Sequence, residues 1–314
     1  MNDNNYKKGL VSFCCLSYKH GAFIKDCLES ILNQSYKNIE IIALDDGSPD
    51  DSGKILTECS KKSPVPITVI LQNNTANVPK NFNTMLNKAK GEFVFFISMD
   101  DYIENDAISS KMDLFNENIA FIANKLNNKV DANNEIICKN ESPYMNWAKE
   151  THTTARDLLE LEYNHLGAFY IQGAVFRRNI IDAIGGFDDD LIGDDIILRT
   201  KLFIYMIDNV DLQFVLLNKS AVNYRIHDSN IHKNSFRQVL LIKEWKDRYF
   251  PDKDGLKLLF HRVQKAYAQN IASYNLCNCS KLISILDELL LGECESARQK
   301  YIKQFFKYKK VKYL

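Results

Sequence analysis

Residues 10–48 read LVSFCCLSYKHGAFIKDCLESILNQSYKNIEIIALDDGS. Residues 10–16 are an uninterrupted apolar run of strand length, the pattern of a strand buried on both faces of a parallel sheet. A polar Ser-Tyr-Lys-His-Gly ends the run, and Phe23, Cys27, Leu28, Ile31 and Leu32 then recur at helical spacing across residues 22–34. A second apolar run, IEIIAL at 39–44, completes a β-α-β unit. The alternation continues downstream. Residues 52–62 suit a helix, 67–71 a strand, Val78, Phe82, Met85, Leu86 and Ala89 one face of a further helix, and EFVFFI at 92–97 a fourth strand. Such a chain predicts an α/β fold with a mostly parallel, doubly wound sheet and right-handed crossovers. Ligands of these sheets bind beyond the carboxyl ends of the strands. The second strand runs into Asp45-Asp46-Gly47-Ser48 and the fourth into Ser98-Met99-Asp100-Asp101, so both acidic clusters are expected on one rim with Tyr18 beside them.

The 314 residues carry 40 Lys plus Arg against 40 Asp plus Glu. No global field favours a polyanion, so nucleic acid is not an expected partner and charge recognition must be local. The opening MNDNNYKK lacks an apolar segment behind its basic residues, and no run of 18 apolar residues follows, so a cytoplasmic chain without a membrane span is expected. The eight cysteines form no C-x-x-C pair and sit mostly in apolar stretches, which reads as reduced, buried thiols. Cys277 and Cys279 alone make a poor zinc site and read as structural.

Residues 124–146 are rich in asparagine and read as a loop or weakly ordered insertion. A strand is expected over 167–177, a short helix over 179–184, a Gly-Gly-Phe-Asp turn at 185–188, a helix over 196–207 and a strand over 212–217. From 236 onward the spacing of Val239, Leu240 and Trp245, and of Leu282, Ile285, Leu286, Leu289 and Leu290, is helical, broken by Pro251 and Gly255. The expected division is a domain over residues 1–235, with halves at about 1–104 and 105–235, and a helical C-terminal region over 236–314. Residues 298–312 hold seven basic side chains and no acidic one. On a helical wheel Tyr301, Ile302, Phe305 and Phe306 gather on one side and Lys300, Lys303, Lys307 and Lys310 on another. That pattern suits a helix lying on an anionic membrane, or a terminal helix docked on its own domain.

Five blocks in order, VSFCCLSYKH, LESILNQSYKNIEIIALDDGSPDDS, AKGEFVFFISMDD, IGGFDDDLIGDDIILRTKLF and NYRIHDSN, make the chain resemble the family-2 glycosyltransferases of GT-A fold over about residues 10–230. The resemblance implies a Rossmann-like GT-A domain and hexosyltransferase-type chemistry (EC 2.4): inverting transfer from a UDP-sugar to a glycan or lipid-linked oligosaccharide. The implied setting is surface polysaccharide, lipopolysaccharide or O-antigen assembly. By the same resemblance Tyr18 and Asp46 hold the nucleotide's base and ribose, with Ser17 and Asp45 assisting. Lys80, where relatives often carry arginine, reaches toward the nucleotide, and Asp100 lies beside it. Asp101 is the implied direct ligand of a divalent metal, Mn2+ or Mg2+, with His227 completing the shell and favouring manganese. Asp195, the second acid of the Asp194-Asp195 block, is the implied catalytic base.

Each of these residues also has a plainer reading. Asp-Asp-Gly-Ser alone is an ordinary turn, Asp100-Asp101 a pair of loop acids capping a helix over 102–112, and Asp194-Asp195 an N-cap. Arg225 reads either as a diphosphate contact or as the partner of a surface acid. Ser98 stands where relatives carry a first aspartate, which keeps open a degenerate sugar-nucleotide-binding module that binds UDP without turnover. A sugar nucleotidyltransferase shares the α/β ground plan, but the loop at 17–20 is not glycine-rich.

Overall fold

Strands β1 (Lys7–Ser17), β2 (Ile39–Asp45), β3 (Ile67–Leu71) and β4 (Gly91–Ser98) run parallel in the order β3-β2-β1-β4, separated in sequence by α1 (Ile24–Leu32), α2 (Ser52–Lys62) and α3 (Val78–Leu86). Alternate residues of each strand face opposite sides of the sheet, and both sides are buried. Cys14, Leu16, Ile42, Leu44, Val94 and Phe96 join one apolar cluster, whereas Val11, Phe13, Cys15, Ile41, Phe93 and Phe95 join the other. That double burial is why these strands are written as unbroken apolar runs. The computed structural model describes residues 6–142, 154–227, 230 and 234–307.

Beyond β4 the sheet continues through β8 (Val175–Arg177), β6 (Ile119–Val130), β9 (Gln213–Arg225) and β5 (Tyr102–Ile103), with β7 (Ile136–Glu141) paired to β6. Strand β8 is antiparallel to both β4 and β6, while β6 and β9 are parallel. Helices α4 (Ser109–Met112), α5 (Ala155–His165), α6 (Arg178–Ala183) and α7 (Asp195–Asp208) complete this part of the chain. This mixed α/β arrangement is what the GT-A resemblance implies.

Three expectations are corrected. Residues 124–130 and 136–141 are strands, not loop. Asparagines are tolerated there because partners stand ready: Asn128 Nδ2 donates to Glu104 Oε1 and to Asn223 Oδ1, both at 3.0 Å, and Asn124 Nδ2 donates to the Lys219 carbonyl at 2.9 Å. Of the strand expected over 167–177, only residues 175–177 pair, since Gly173 takes φ +93° and turns the chain just before them. Residues 102–103 pair with β9 in place of starting a helix, which forms only at Ser109–Met112.

The chain divides into two compact units, Met1–Asp190 with Asp194–Asp228, and Leu191–Gly193 with Ser229–Leu314. The second contains α8 (Ser235–Tyr249), α9 (Gly255–Ala272), α10 (Leu276–Leu289) and α11 (Glu295–Lys307), packed through buried Val239, Trp245, Leu259, Val263, Leu282 and Leu286. Helix α11 spends its apolar side on α9. Phe305 is 2% exposed, Tyr301 meets Phe260 at 5.1 Å between ring centroids, and Gln264 Nε2 donates to the carbonyls of Gln304 and Phe305. Of its aromatic side chains Phe306 is exposed, along with Lys300, Lys303 and Lys307, and the described part of this helix takes the docked arrangement; Lys310 lies outside the described residues. No described helix is long and apolar enough to cross a membrane. All eight cysteines are free, but Cys138, Cys277 and Cys294 are exposed, contrary to the buried reading.

Candidate active site

The register of β1 with its neighbours sets Ser17 opposite Asp45 and Leu16 opposite Ser98, so the three strands deliver their following loops to one rim. Ser17 Oγ is buried there without a hydrogen-bond partner. A buried hydroxyl left unbonded is disfavoured, so this one suits a ligand polar atom. Tyr18 follows it onto the surface, 38% exposed. Exposed Lys80 stands in the first turn of α3, whose start is capped by Asn77 Oδ1 accepting from Lys80 N at 2.9 Å.

The two acids of the Asp-Asp-Gly-Ser block have different tasks. Asp45 accepts from Ser48 N (2.9 Å) and Ser48 Oγ (2.6 Å), closing the turn. Asp46 accepts from Gln72 Nε2 (2.8 Å), Thr75 N (2.9 Å), Thr75 Oγ1 (3.0 Å) and Ala76 N (3.2 Å). Burial opposes its ionisation, yet these donors and Asn81 hold its pKa below the ordinary carboxylate value. Asp46 therefore anchors the loop that follows β3, and its carboxylate carries little spare capacity for a nucleobase. Gly47 takes φ +67°, and a Cβ there would stand 2.4 Å from Asn74 N. Gly47→Ala combines left-handed strain with a backbone clash, so urea denaturation is expected to show a loss of about 2–3 kcal/mol.

At the next strand end Asp101 N donates to the Ser98 carbonyl at 3.1 Å, a tight turn with Asp100 near its apex. Asp100 Oδ2 faces two imidazoles: His227 Nε2 at 3.0 Å and His20 Nε2 at 3.8 Å. Burial works against the Asp100 carboxylate, but His227, His20 and Ser98 hold its pKa well below the usual value. Asp101, 1% exposed, accepts from Arg225 N at 2.7 Å. Burial and the neighbouring Asp100 charge push its carboxyl well up. Arg225 is itself buried, and it pairs with the part-exposed acid Asp26. Its Nε donates to the Asp100 carbonyl (2.7 Å), its NH2 group meets Asp26 Oδ2 (3.1 Å), and its guanidinium lies 4.5 Å from the Phe23 ring centroid.

Asp100 Oδ2 and His227 therefore face each other, while Asp101 gives Oδ1 to Arg225 N and keeps a buried Oδ2 with no hydrogen-bond partner. His20, a residue the motif reading passed over, is the third member of the group; the available signal was its place three residues past the end of β1. Among the described residues no cluster of three or more acidic, histidine or cysteine side chains is arranged to hold a metal. One carboxylate and one imidazole nevertheless fit a divalent ion that takes its remaining ligands from phosphate and water.

Asp195 opens α7, and Asp194 before it makes no side-chain cap, so neither acid serves that plainer purpose. The Asp195 carboxylate is 32% exposed and meets Arg199 NH1 at 3.4 Å. Arg199 is otherwise occupied: Nε and NH2 each donate to Glu162 at 2.8 Å, and NH1 to the Phe169 carbonyl at 2.6 Å. Burial and Asp194 raise the Asp195 pKa to about 7, with Arg199 opposing. Tyr224, stacked on Tyr170 with ring centroids 6.2 Å apart, feels the charges of Asp100, Asp101 and Asp195 together. In the Gly-Gly-Phe-Asp turn Asn83 bonds both the N–H and the carbonyl of Phe187, Phe187 stacks on Phe82 at 5.1 Å, and Asp188 pairs with Lys201. That turn is structural.

Among relatives, the chain is 24% identical over 272 residues to the GalNAc(5)-diNAcBac-PP-undecaprenol beta-1,3-glucosyltransferase of Campylobacter jejuni, covering 82% of each protein. It is 28% identical over 226 residues to the glycosyltransferase GlyA of Streptococcus pneumoniae, covering 67% of this chain and 30% of GlyA. It is 34% identical over 101 residues to GlyG of the same organism, covering 32% of this chain and 33% of GlyG. The chain thus matches about a third of the length of these two streptococcal relatives. Of solved structures, Staphylococcus aureus TarS 1-349 in complex with UDP-GlcNAc superposes with a TM-score of 0.56 at 17% identity, over 82% of this chain and 70% of that one. The mannosyltransferase PcManGT of Pyrobaculum calidifontis, in complex with GDP-Man and Mn2+, gives 0.55 at 15% identity, over 98% and 84%. These superpositions share the GT-A fold. The profile of glycosyl transferase family 2 matches residues 12–185, more than half of the chain, and with the rim described above this shows that the chain belongs to glycosyl transferase family 2.

Proposed function

We propose that this chain transfers a sugar from a UDP-sugar to a hydroxyl of a glycan or lipid-linked oligosaccharide in surface polysaccharide assembly, with inversion at the anomeric carbon. The observation that carries this reading is Asp195, a part-exposed carboxylate at the start of α7 with only a long 3.4 Å contact to Arg199, in a family-2 chain whose rim sets Asp100 against His227; burial and Asp194 raise its pKa to about 7. A base whose pKa lies near working pH is ionised for a useful fraction of the time and still accepts a proton readily.

Ser17 and Tyr18 receive the base and ribose at the end of β1, with Asp45 and Asp46 shaping the adjoining turn and loop. Lys80 stands toward the diphosphate. Asp100 and His227 would hold a divalent ion, which supplies positive charge to the leaving diphosphate; Mn2+ suits the mixed oxygen and nitrogen donors. Asp195 accepts the proton of the acceptor hydroxyl as its oxygen bonds to the anomeric carbon and the bond to UDP breaks on the opposite face. No covalent intermediate on the enzyme is required. TarS in complex with UDP-GlcNAc and a relative named for an undecaprenol-linked substrate support a nucleotide-sugar donor and a lipid-linked acceptor.

The test is calorimetric titration of UDP with Mn2+, with Mg2+ and with EDTA. Binding that requires the metal is expected, followed by turnover in a donor and acceptor screen. UDP binding with no turnover against any acceptor would instead make the chain a binding module, and no binding of UDP in any condition would remove the nucleotide assignment.

A further inference from the structure

We propose that Glu162 is a positioning residue that keeps Arg199 from closing onto Asp195. The inference rests on Asp195 as the base. Asp195 and Arg199 stand four residues apart on α7, the spacing at which a carboxylate and a guanidinium pair most readily along a helix. Left alone, they would form a two-point ion pair, and both Asp195 oxygens would be covered. The structure shows another arrangement. Glu162, fully buried on α5, takes two of the guanidinium N–H groups at 2.8 Å each, and the Phe169 carbonyl takes a third at 2.6 Å. What reaches Asp195 is one long contact of 3.4 Å.

Glu162 is itself immobile. Its Oε2 also accepts from Ala168 N at 3.0 Å, and α5 begins with a capping box in which Thr154 and Asp157 bond reciprocally. The guanidinium is thus held in a plane fixed from the α5 side, and Asp195 keeps lone pairs for an acceptor hydroxyl. The groups that bear on the Asp195 charge are Asp194 just before α7, Arg199 on α7, Glu162 from α5, Tyr170 and the Ile171 N–H from the segment before β8, and Tyr224 from β9. Of these, Arg199 is the one cation, and its placement decides how far it opposes the rise that burial and Asp194 impose on Asp195. Aspartate next to a freely pairing arginine titrates low.

The experiment compares kcat/KM against pH for the native chain, Glu162→Gln, Glu162→Gln/Arg199→Met and Asp195→Asn, with circular dichroism checking the fold of each. In Glu162→Gln the arginine is released to Asp195. The acid limb is expected to move down by about one pH unit, the plateau to fall about tenfold or more, and KM for the sugar nucleotide to stay put. In the double variant the cation is gone and the limb is expected to move above the native one. A merely structural role lowers activity without moving either limb, and unshifted limbs in folded variants would overturn the proposal. Should Glu162→Gln alone not fold, the double variant decides: a limb above the native supports the proposal, and a limb at or below it does not. Asp195→Asn separates the two readings, because full activity in that variant removes the base assignment itself, whereas its inactivity with unshifted limbs removes only the Glu162 restraint.

Discussion

Asp195→Asn is expected to lower kcat about a thousandfold while leaving KM for the sugar nucleotide within a few-fold. The amide has the shape of the carboxylate and cannot accept the acceptor's proton, and Asp195 is not among the groups assigned to the nucleotide. In the native enzyme the ionised form is active, so kcat/KM is expected to rise with pH up to about 7, the value to which burial and Asp194 raise this group, and then to level. Stability runs the other way. The folded-state pKa lies above the reference 3.8, so between those two values the native state binds the extra proton, and stability falls as pH rises toward about 7. Asp195→Asn removes that burden. A thermal melt at pH 8 is expected to show the variant at least as stable as the native chain, which separates lost chemistry from lost fold. A variant that retains native kcat would remove Asp195 from the reaction.

The second large effect concerns two adjacent acids that the motif alone does not distinguish. Asp100→Asn is expected to weaken UDP binding in Mn2+ by about a hundredfold and to bring it to the level seen in EDTA, because Asp100 is the carboxylate facing His227. Asp101→Asn is expected to leave UDP affinity within a few-fold. Burial and Asp100 push its carboxyl well up, so its charged form is disfavoured there, and the amide's Oδ1 can keep the bond from Arg225 N. The opposite ranking of the two variants would return the ligand role to Asp101. Asp100 also contributes stability through its depressed pKa. That contribution is present above the reference 3.8 and is lost as pH falls through the lower folded-state value, so this part of the native chain's stability over Asp100→Asn should shrink in denaturation curves taken below pH 3.8.

Much of the nucleotide-side architecture is written locally. The apolar runs at 10–16, 39–44 and 92–97 need no distant information, because a strand covered on both faces must be apolar at every position. The acids at 45–46 and 100–101 and the hydroxyl and ring at 17–18 follow directly from strand ends, and parallel topology carries every such end to one rim. The second half was less legible because its signals are not local. A strand such as 119–130, carrying Asn124 and Asn128, is stable only when Glu104, Lys219 and Asn223 from elsewhere answer those amides. Nothing near Glu162 marks it as the partner of Arg199, 37 positions away.

Local patterning was therefore sufficient for the α/β order, the shared rim and the residue types assembled on it, since strand burial and loop position depend on neighbours a few residues away. Long-range contacts decide what each of those residues touches. Asp100 rather than Asp101 faces an imidazole because His227 returns along β9 from 127 positions downstream, while the backbone of Arg225 takes Asp101. Asp46 is committed to the loop after β3, and the apolar side of α11 is committed to α9. A side chain's chemistry is set by its type, but its availability is set by which distant donors and rings reach it first, and that competition exists only once the chain has folded.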